Sequence, residues 1–212
     1  MKKLLICVLI ISLLLSSNIS LASNLEQEKD LNSMAKSLNY LGILSGTDKG
    51  FELEKEPTRV EAAVIIARLL VANDHEIPEE ANFPFTDVPK WASAYVNYLY
   101  QNGAVSGISD TLFGSSEKMS AQQYTTMILR VLGYSDRNGD FVWNKSLDKA
   151  LEIGLLDKTT KERIENSKTF TRGDMVLITY NALFTNFKGK EDKLIQLQAV
   201  LKLQGDLLDC LR

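Results

Sequence analysis

Residues 85–134 read FTDVPKWASAYVNYLYQNGAVSGISDTLFGSSEKMSAQQYTTMILRVLGY, and the pattern of this stretch decides the fold of the whole chain. Trp91, Ala92, Tyr95, Val96 and Leu99 recur at helical spacing behind Pro89, a residue suited to a first helical turn. Gly103 ends that helix, Ala104-Val105 tucks inward, Gly107 turns the chain and Phe113 closes an open loop. Ser120 then starts a second helix, in which Tyr124, Met127, Ile128, Val131 and Leu132 keep to one face before Gly133 stops it.

Weaker copies lie on either side. Upstream, Leu31, Met34, Ala35, Leu38 and Leu41 form a helical stripe that Gly42 caps, and Thr58-Arg59-Val60-Glu61 opens a second helix behind Pro57. Downstream, Trp143, Leu147, Ala150 and Leu151 form the stripe, Gly154 caps it, and Thr171-Arg172-Gly173-Asp174 opens the partner helix. After the three glycines stand Ile43-Leu44, Ala104-Val105 and Leu155-Leu156. A hydroxyl follows each glycine by 16 or 17 residues, as Thr58, Ser120 and Thr171, with Glu61, Gln123 and Asp174 three positions on. That spacing is a capping box, in which the hydroxyl and the acid or amide satisfy orphan backbone N–H groups reciprocally. Three boxes in register after a shared glycine mark an internal repeat. The expected units are 25–73, 83–135 and 136–187. None can bury a full apolar face alone, so they should pack together, and grooves should lie between neighbours.

The chain begins Met1-Lys2-Lys3, continues with an apolar run from Leu4 to Leu15, and reaches small residues at Ser20 and Ala22. Residues 1–22 therefore read as a secretory signal peptide, with an apolar core shorter than the ~20 residues a membrane span needs. Cys7 lies inside that core, so the mature chain holds a single thiol, Cys210, and has no internal disulfide. Its stability must come from its core. Removing residues 1–22 moves the net charge from −3 to −5. A mildly acidic chain argues against nucleic acid, which wants a concentrated basic face. No second long apolar run follows, so no membrane span is expected after cleavage.

Other chemistry-bearing residues read blandly. His75, the only histidine, lies in a charged linker without convergent partners. Asp136-Arg137-Asn138-Gly139-Asp140 has the alternating acids of a calcium loop. Phe141 stands where that loop needs glycine and Leu147 where it needs glutamate, so the stretch reads as a turn. No metal ligand set, cofactor motif or catalytic constellation is apparent, and the chain reads as no enzyme. Residues 188–212 read as a last helix, with Leu194, Leu201 and Leu208 at a spacing of seven. Docking of that helix onto the bundle and self-association through it are the two alternatives.

The second unit resembles an S-layer homology repeat over its whole length, through the opening Phe85-x-Asp87-Val88, the helix Trp91 and Gly103-x-x-x-Gly107. Thr58-Arg59-Val60-Glu61 is similar to that family's Thr-Arg-Ala-Glu motif, and Thr171-Arg172-Gly173-Asp174 is a looser copy. The resemblance implies an all-α fold, with three tandem helix–loop–helix repeats closing into a pseudo-threefold, spindle-like bundle. It implies a secreted protein of the cell surface or cell wall that binds a secondary cell-wall polysaccharide, often through a terminal pyruvylated sugar, in grooves between repeats. By the same resemblance Arg59 and Arg172 face the anionic sugar, Asp87 and Trp91 help line a groove, and Gly46 and Gly107 let the loop backbone approach the ligand. Unit two departs from the pattern, since Ala121 stands where its motif arginine belongs. Unit one lacks the Phe-x-Asp opening, and unit three has Asp157 for the turn glycine. The alternative reading is a structural or assembly protein that keeps the fold and has lost most glycan binding.

Overall fold

The computed structural model describes residues 30–71, 77 and 82–196. The signal peptide, the linker histidine and the chain from residue 197 onward lie outside the described residues. Among the described residues the fold is all-α, and no strand occurs beyond isolated bridges. The helices are α1 (30–40), α2 (Arg59–Leu70), α3 (Ser93–Gln101), α4 (Ala121–Val131), α5 (Ser146–Glu152), α6 (Lys158–Asn166) and α7 (Arg172–Leu183).

The same device ends α1, α3 and α5. Gly42, Gly103 and Gly154 take φ of +77°, +68° and +74°, a left-handed conformation that side chains resist. The next two amides then both donate to one helix carbonyl: Ile43 and Leu44 to Leu38, Ala104 and Val105 to Leu99, Leu155 and Leu156 to Ala150. All six of these apolar residues are buried. Turning the chain back this sharply carries an apolar pair straight into the core.

The capping boxes form as the spacing predicts. Thr58 with Glu61, Ser120 with Gln123 and Thr171 with Asp174 each make both reciprocal bonds, at the starts of α2, α4 and α7. These three helices touch one another pairwise and form the centre of the molecule. Both α2 and α7 are buried on nearly every side, as central helices must be. Between α4 and α7 the buried Tyr124 hydroxyl bonds the Thr179 hydroxyl, which itself donates to the Met175 carbonyl. Tyr124→Phe removes one bond while Thr179 keeps its backbone acceptor. The expected loss is about 1 kcal/mol in urea unfolding with an unchanged m-value.

Two sequence expectations need correction. Trp143 and Leu151 do not face the core: they are 55% and 37% exposed. Trp91, expected on the apolar face of α3, is 58% exposed. Both tryptophans sit in short 3₁₀ turns, Lys90–Ala92 and Trp143–Lys145, that precede the α-helices. There the period is about three residues rather than 3.6, so a helical wheel misplaces them. The second correction is α6, where only a loop was expected. Ile164 is its one buried residue, so no apolar stripe announces it. Asp157 caps it through the Thr160 amide, and Lys161 pairs with Glu165 one turn on.

The units interlock through their loops. At the start of α2, Arg59 and Val60 amides donate to the Glu117 and Ser115 carbonyls of the second unit's loop. At the start of α7, Arg172 and Gly173 amides donate to the Lys55 and Leu53 carbonyls of the first unit's loop. Orphan N–H groups of one helix are thus satisfied by a neighbouring repeat. In the third unit, α6 fills the chain between Leu156 and Thr171 where the other two carry this loop.

Candidate functional site

The six residues named from the sequence gather in two sets of three. The first is Gly46, Trp91 and Arg172, which line one open groove of about 210 Å³. Each comes from a different unit. Gly46 begins a tight loop closed by paired bonds between Thr47 and Gly50, and a Cβ there would stand 3.3 Å from the Gly50 carbonyl. Trp91 presents an exposed indole at one wall. Arg172 is buried, its Nε donating to the Phe51 carbonyl at 3.0 Å and its Nη2 to the Ser45 carbonyl at 3.4 Å.

Four further charged residues line this groove, none of them named as a site residue from the sequence: Glu52, Lys55, Glu61 and Arg68. Arg68, in the last turn of α2, donates to the Ser45 hydroxyl and the Tyr95 hydroxyl and lies over the Tyr95 ring. Lys55 is 3.8 Å from Glu61. Burial pushes the Glu61 carboxyl up, but the Thr58 backbone and hydroxyl bonds, aided by Lys55 and Arg172, bring it below the usual carboxylate value. Glu61 is therefore an anion already committed to the helix cap, and Glu52 accepts the Thr47 hydroxyl, while the three cations Lys55, Arg68 and Arg172 line the same groove. A basic residue in a loop and another in a last helical turn give no sequence signal for this, because different repeats bring them together.

The second set is Arg59, Asp87 and Gly107, gathered around the loop of unit two. Arg59 is 8% exposed, stacks on Phe113 at 4.9 Å and donates from Nη2 to the Ser106 carbonyl, while its Nε has no partner among the described residues. Burial pulls its pKa down against the field of Glu117. Ser106 stands three residues after Gly103 as Ser45 does after Gly42, so the two motif arginines bind the same carbonyl of two successive repeats. Gly107 has no room for a side chain, because Phe85 and the Ser109 and Leu112 carbonyls crowd it. It also lines a larger open cavity of about 640 Å³ with Tyr100, Gln101 and Arg137. Asp87 accepts the amides of Phe113, Gly114 and Ser115 at 2.7–2.8 Å, which fixes the loop that reaches α2.

Desolvation pushes the Asp87 carboxyl up, and the Ser115, Phe113 and Gly114 amides outweigh it, so its pKa lies below the ordinary value. A carboxyl lowered on folding stabilises above its unfolded pKa of about 3.9, and that increment is lost as pH falls through the folded value. Wild-type protein should thus lose stability below about pH 4 more steeply than Asp87→Asn, which lacks the increment at every pH. Thermal melts of both proteins between pH 3 and pH 7 measure the difference.

Among the described residues no group of three or more potential metal-ligating side chains occurs, and no helix is long and apolar enough to cross a membrane.

Residues 84–123 match the S-layer homology domain model, so the chain carries that domain over its second unit. The chain is 27% identical over 162 residues to a middle cell wall protein of Brevibacillus brevis, covering 74% of this chain and 15% of that protein. It is 30% identical over 124 residues to a surface layer protein of Brevibacillus choshinensis, covering 57% of this chain and 11% of the relative. An endoglucanase of a Bacillus species is 28% identical over 120 residues, 52% of this chain and 13% of the enzyme. The chain thus spans less than a sixth of the length of these relatives. Domain and relatives indicate a secreted protein of the cell surface or cell wall.

Proposed function

We propose that this chain is a non-catalytic wall-binding module that holds an anionic secondary cell-wall polysaccharide in the groove lined by Gly46, Trp91 and Arg172. The observation that carries this reading is that three repeats each supply one of these residues to a single open groove. An exposed indole offers a face for a sugar ring, and Lys55, Arg68 and Arg172 offer positive charge to a carboxylate such as that of a pyruvylated sugar. The module comprises three S-layer homology repeats, 25–73, 83–135 and 136–187, following a cleaved signal peptide. The repeats supply unequal sites, because Ala121 replaces the arginine of unit two and α6 replaces the loop of unit three.

Co-sedimentation of the mature protein with purified cell walls tests the proposal. Binding should be retained on intact walls and lost once the secondary polysaccharide is stripped; equal pelleting with both preparations would refute it.

One observation favours the second reading, a surface assembly protein with little glycan binding. Both motif arginines are buried and bonded to loop carbonyls of a neighbouring repeat, so they hold the fold together whether or not a glycan is present. A protein of that kind would not pellet with either wall preparation.

A further inference from the structure

The chain contains the dipeptide Asn-Gly twice, as Asn102-Gly103 and as Asn138-Gly139. In both copies the two residues are exposed, the glycine is left-handed, at φ of +68° and +83°, and a Cβ built on it would meet nothing within 4 Å. A glycine nitrogen has no side chain of its own to shield it, so both copies offer open space around a backbone amide and a side-chain amide.

Their hydrogen bonds set them apart. Gly103 closes α3, so its amide donates to the Tyr100 carbonyl at 3.0 Å, and the Asn102 side chain donates to the Tyr98 carbonyl at 2.8 Å. Asn138-Gly139 lies instead in the turn 136–139 that leads into the third unit. The Asn138 amide donates to the Ser135 hydroxyl at 3.1 Å, and the Asp140 amide donates to the Ser135 carbonyl at 3.0 Å, so the turn is anchored on both sides. Between those anchors, neither the Gly139 amide nor the Asn138 side chain has a hydrogen-bond partner among the described residues.

We propose that Asn138 is a site of spontaneous modification, attacked by the nitrogen of Gly139, and that hydrogen bonding protects the identical dipeptide at Asn102. The Gly139 amide loses its proton to solvent, and its nitrogen forms a bond to Asn138 Cγ. The Cγ–Nδ2 bond breaks, Nδ2 takes a proton from water, and ammonia leaves behind a cyclic succinimide. Water then adds to one ring carbonyl and breaks its bond to the ring nitrogen. Opening on one side leaves aspartate, and opening on the other leaves isoaspartate, in which the backbone runs through the former side chain. Either product adds negative charge to a turn that already holds Asp136 and Asp140. Isoaspartate also lengthens the backbone inside the loop that Asp140 closes through the Ser135 amide, the same carboxylate that pairs with Lys188 at 2.6 Å.

Peptide mapping of the folded mature chain, held at mildly alkaline pH over a time course, tests this. Trypsin places the two asparagines in different peptides, one between Arg137 and Lys145 and the other between Lys90 and Lys118. Mass spectrometry with fragment sequencing then reads amide-to-acid conversion at each position. Two hydrogen bonds must open before Asn102 can react, so conversion at Asn138 should be at least about fivefold faster. The same time course in urea removes the bonds, and the gap should narrow. A smaller difference in the folded chain, or faster conversion at Asn102, overturns the proposal. A gap that is no narrower in the unfolded chain also overturns it, and assigns the difference to the flanking sequence.

Discussion

Gly107→Ala should lower stability by about 3 kcal/mol, or roughly 6–12 °C in Tm for a chain of this size. The backbone conformation of Gly107 is ordinary, so left-handed strain is not the cause. A Cβ at this position would stand 2.5 Å from the Leu112 carbonyl and equally deep against the Ser109 carbonyl and the Phe85 ring. The ring could turn aside, but two backbone oxygens from opposite sides of a tight loop cannot. The Ile108 amide bonds the Leu112 carbonyl at 2.8 Å, so relief of the clash would open the loop. That loop runs on to Asp87's three amides and to the carbonyls that cap α2. Gly103→Ala provides the contrast. Gly103 has φ of +68°, and a Cβ there would meet nothing within 4 Å, so only the left-handed strain of about 1 kcal/mol is expected. Calorimetric melts of both variants check the order. Equal losses would mean that the Gly107 loop yields more easily than its contacts imply.

Trp91→Ala should weaken wall binding about five- to thirtyfold while leaving Tm nearly unchanged. Loss of an aromatic stacking surface costs on the order of 1–2 kcal/mol, which converts to about that factor in affinity. The indole is 58% exposed and anchors no part of the core, so folding should barely register its removal. Arg172→Ala is a poorer probe. It withdraws the donors to the Phe51 and Ser45 carbonyls, and binding and stability would fall together. The tryptophan variant separates glycan contact from scaffold. If it pelleted with cell walls as well as wild type and also melted normally, the Trp91 groove would not be the glycan site.

Much of the fold is legible in the sequence because its devices are local. A glycine followed by an apolar pair, and a hydroxyl three residues before an acid or amide, each specify backbone geometry within five or six residues. All three turns and all three boxes form. Legibility ends where the local signal is weak or the period changes. The cap and ion pairs that build α6 leave no hydrophobic stripe, and the 3₁₀ turns carrying Trp91 and Trp143 break the register on which an inward placement depends.

The candidate site was readable as residue types but not as a place. The sequence pointed to Arg59, Asp87, Gly107, Gly46, Trp91 and Arg172 through their resemblance to positions of one family pattern. Only the tertiary structure decided that they divide into two sets, one lining an open groove with Lys55 and Arg68, the other bracing a loop. The reason is physical. Each motif arginine starts a helix whose free N–H groups reach the loop of another repeat, and the guanidinium follows that backbone across the boundary between units. Partners fixed by such contacts are far apart in sequence, more than one hundred residues for Arg172, and no local spacing encodes them. The stretch 85–134 thus specifies its own helices and its own turn. Which neighbour supplies it with an arginine, and which groove receives its tryptophan, is settled only when the three capped helices pack together.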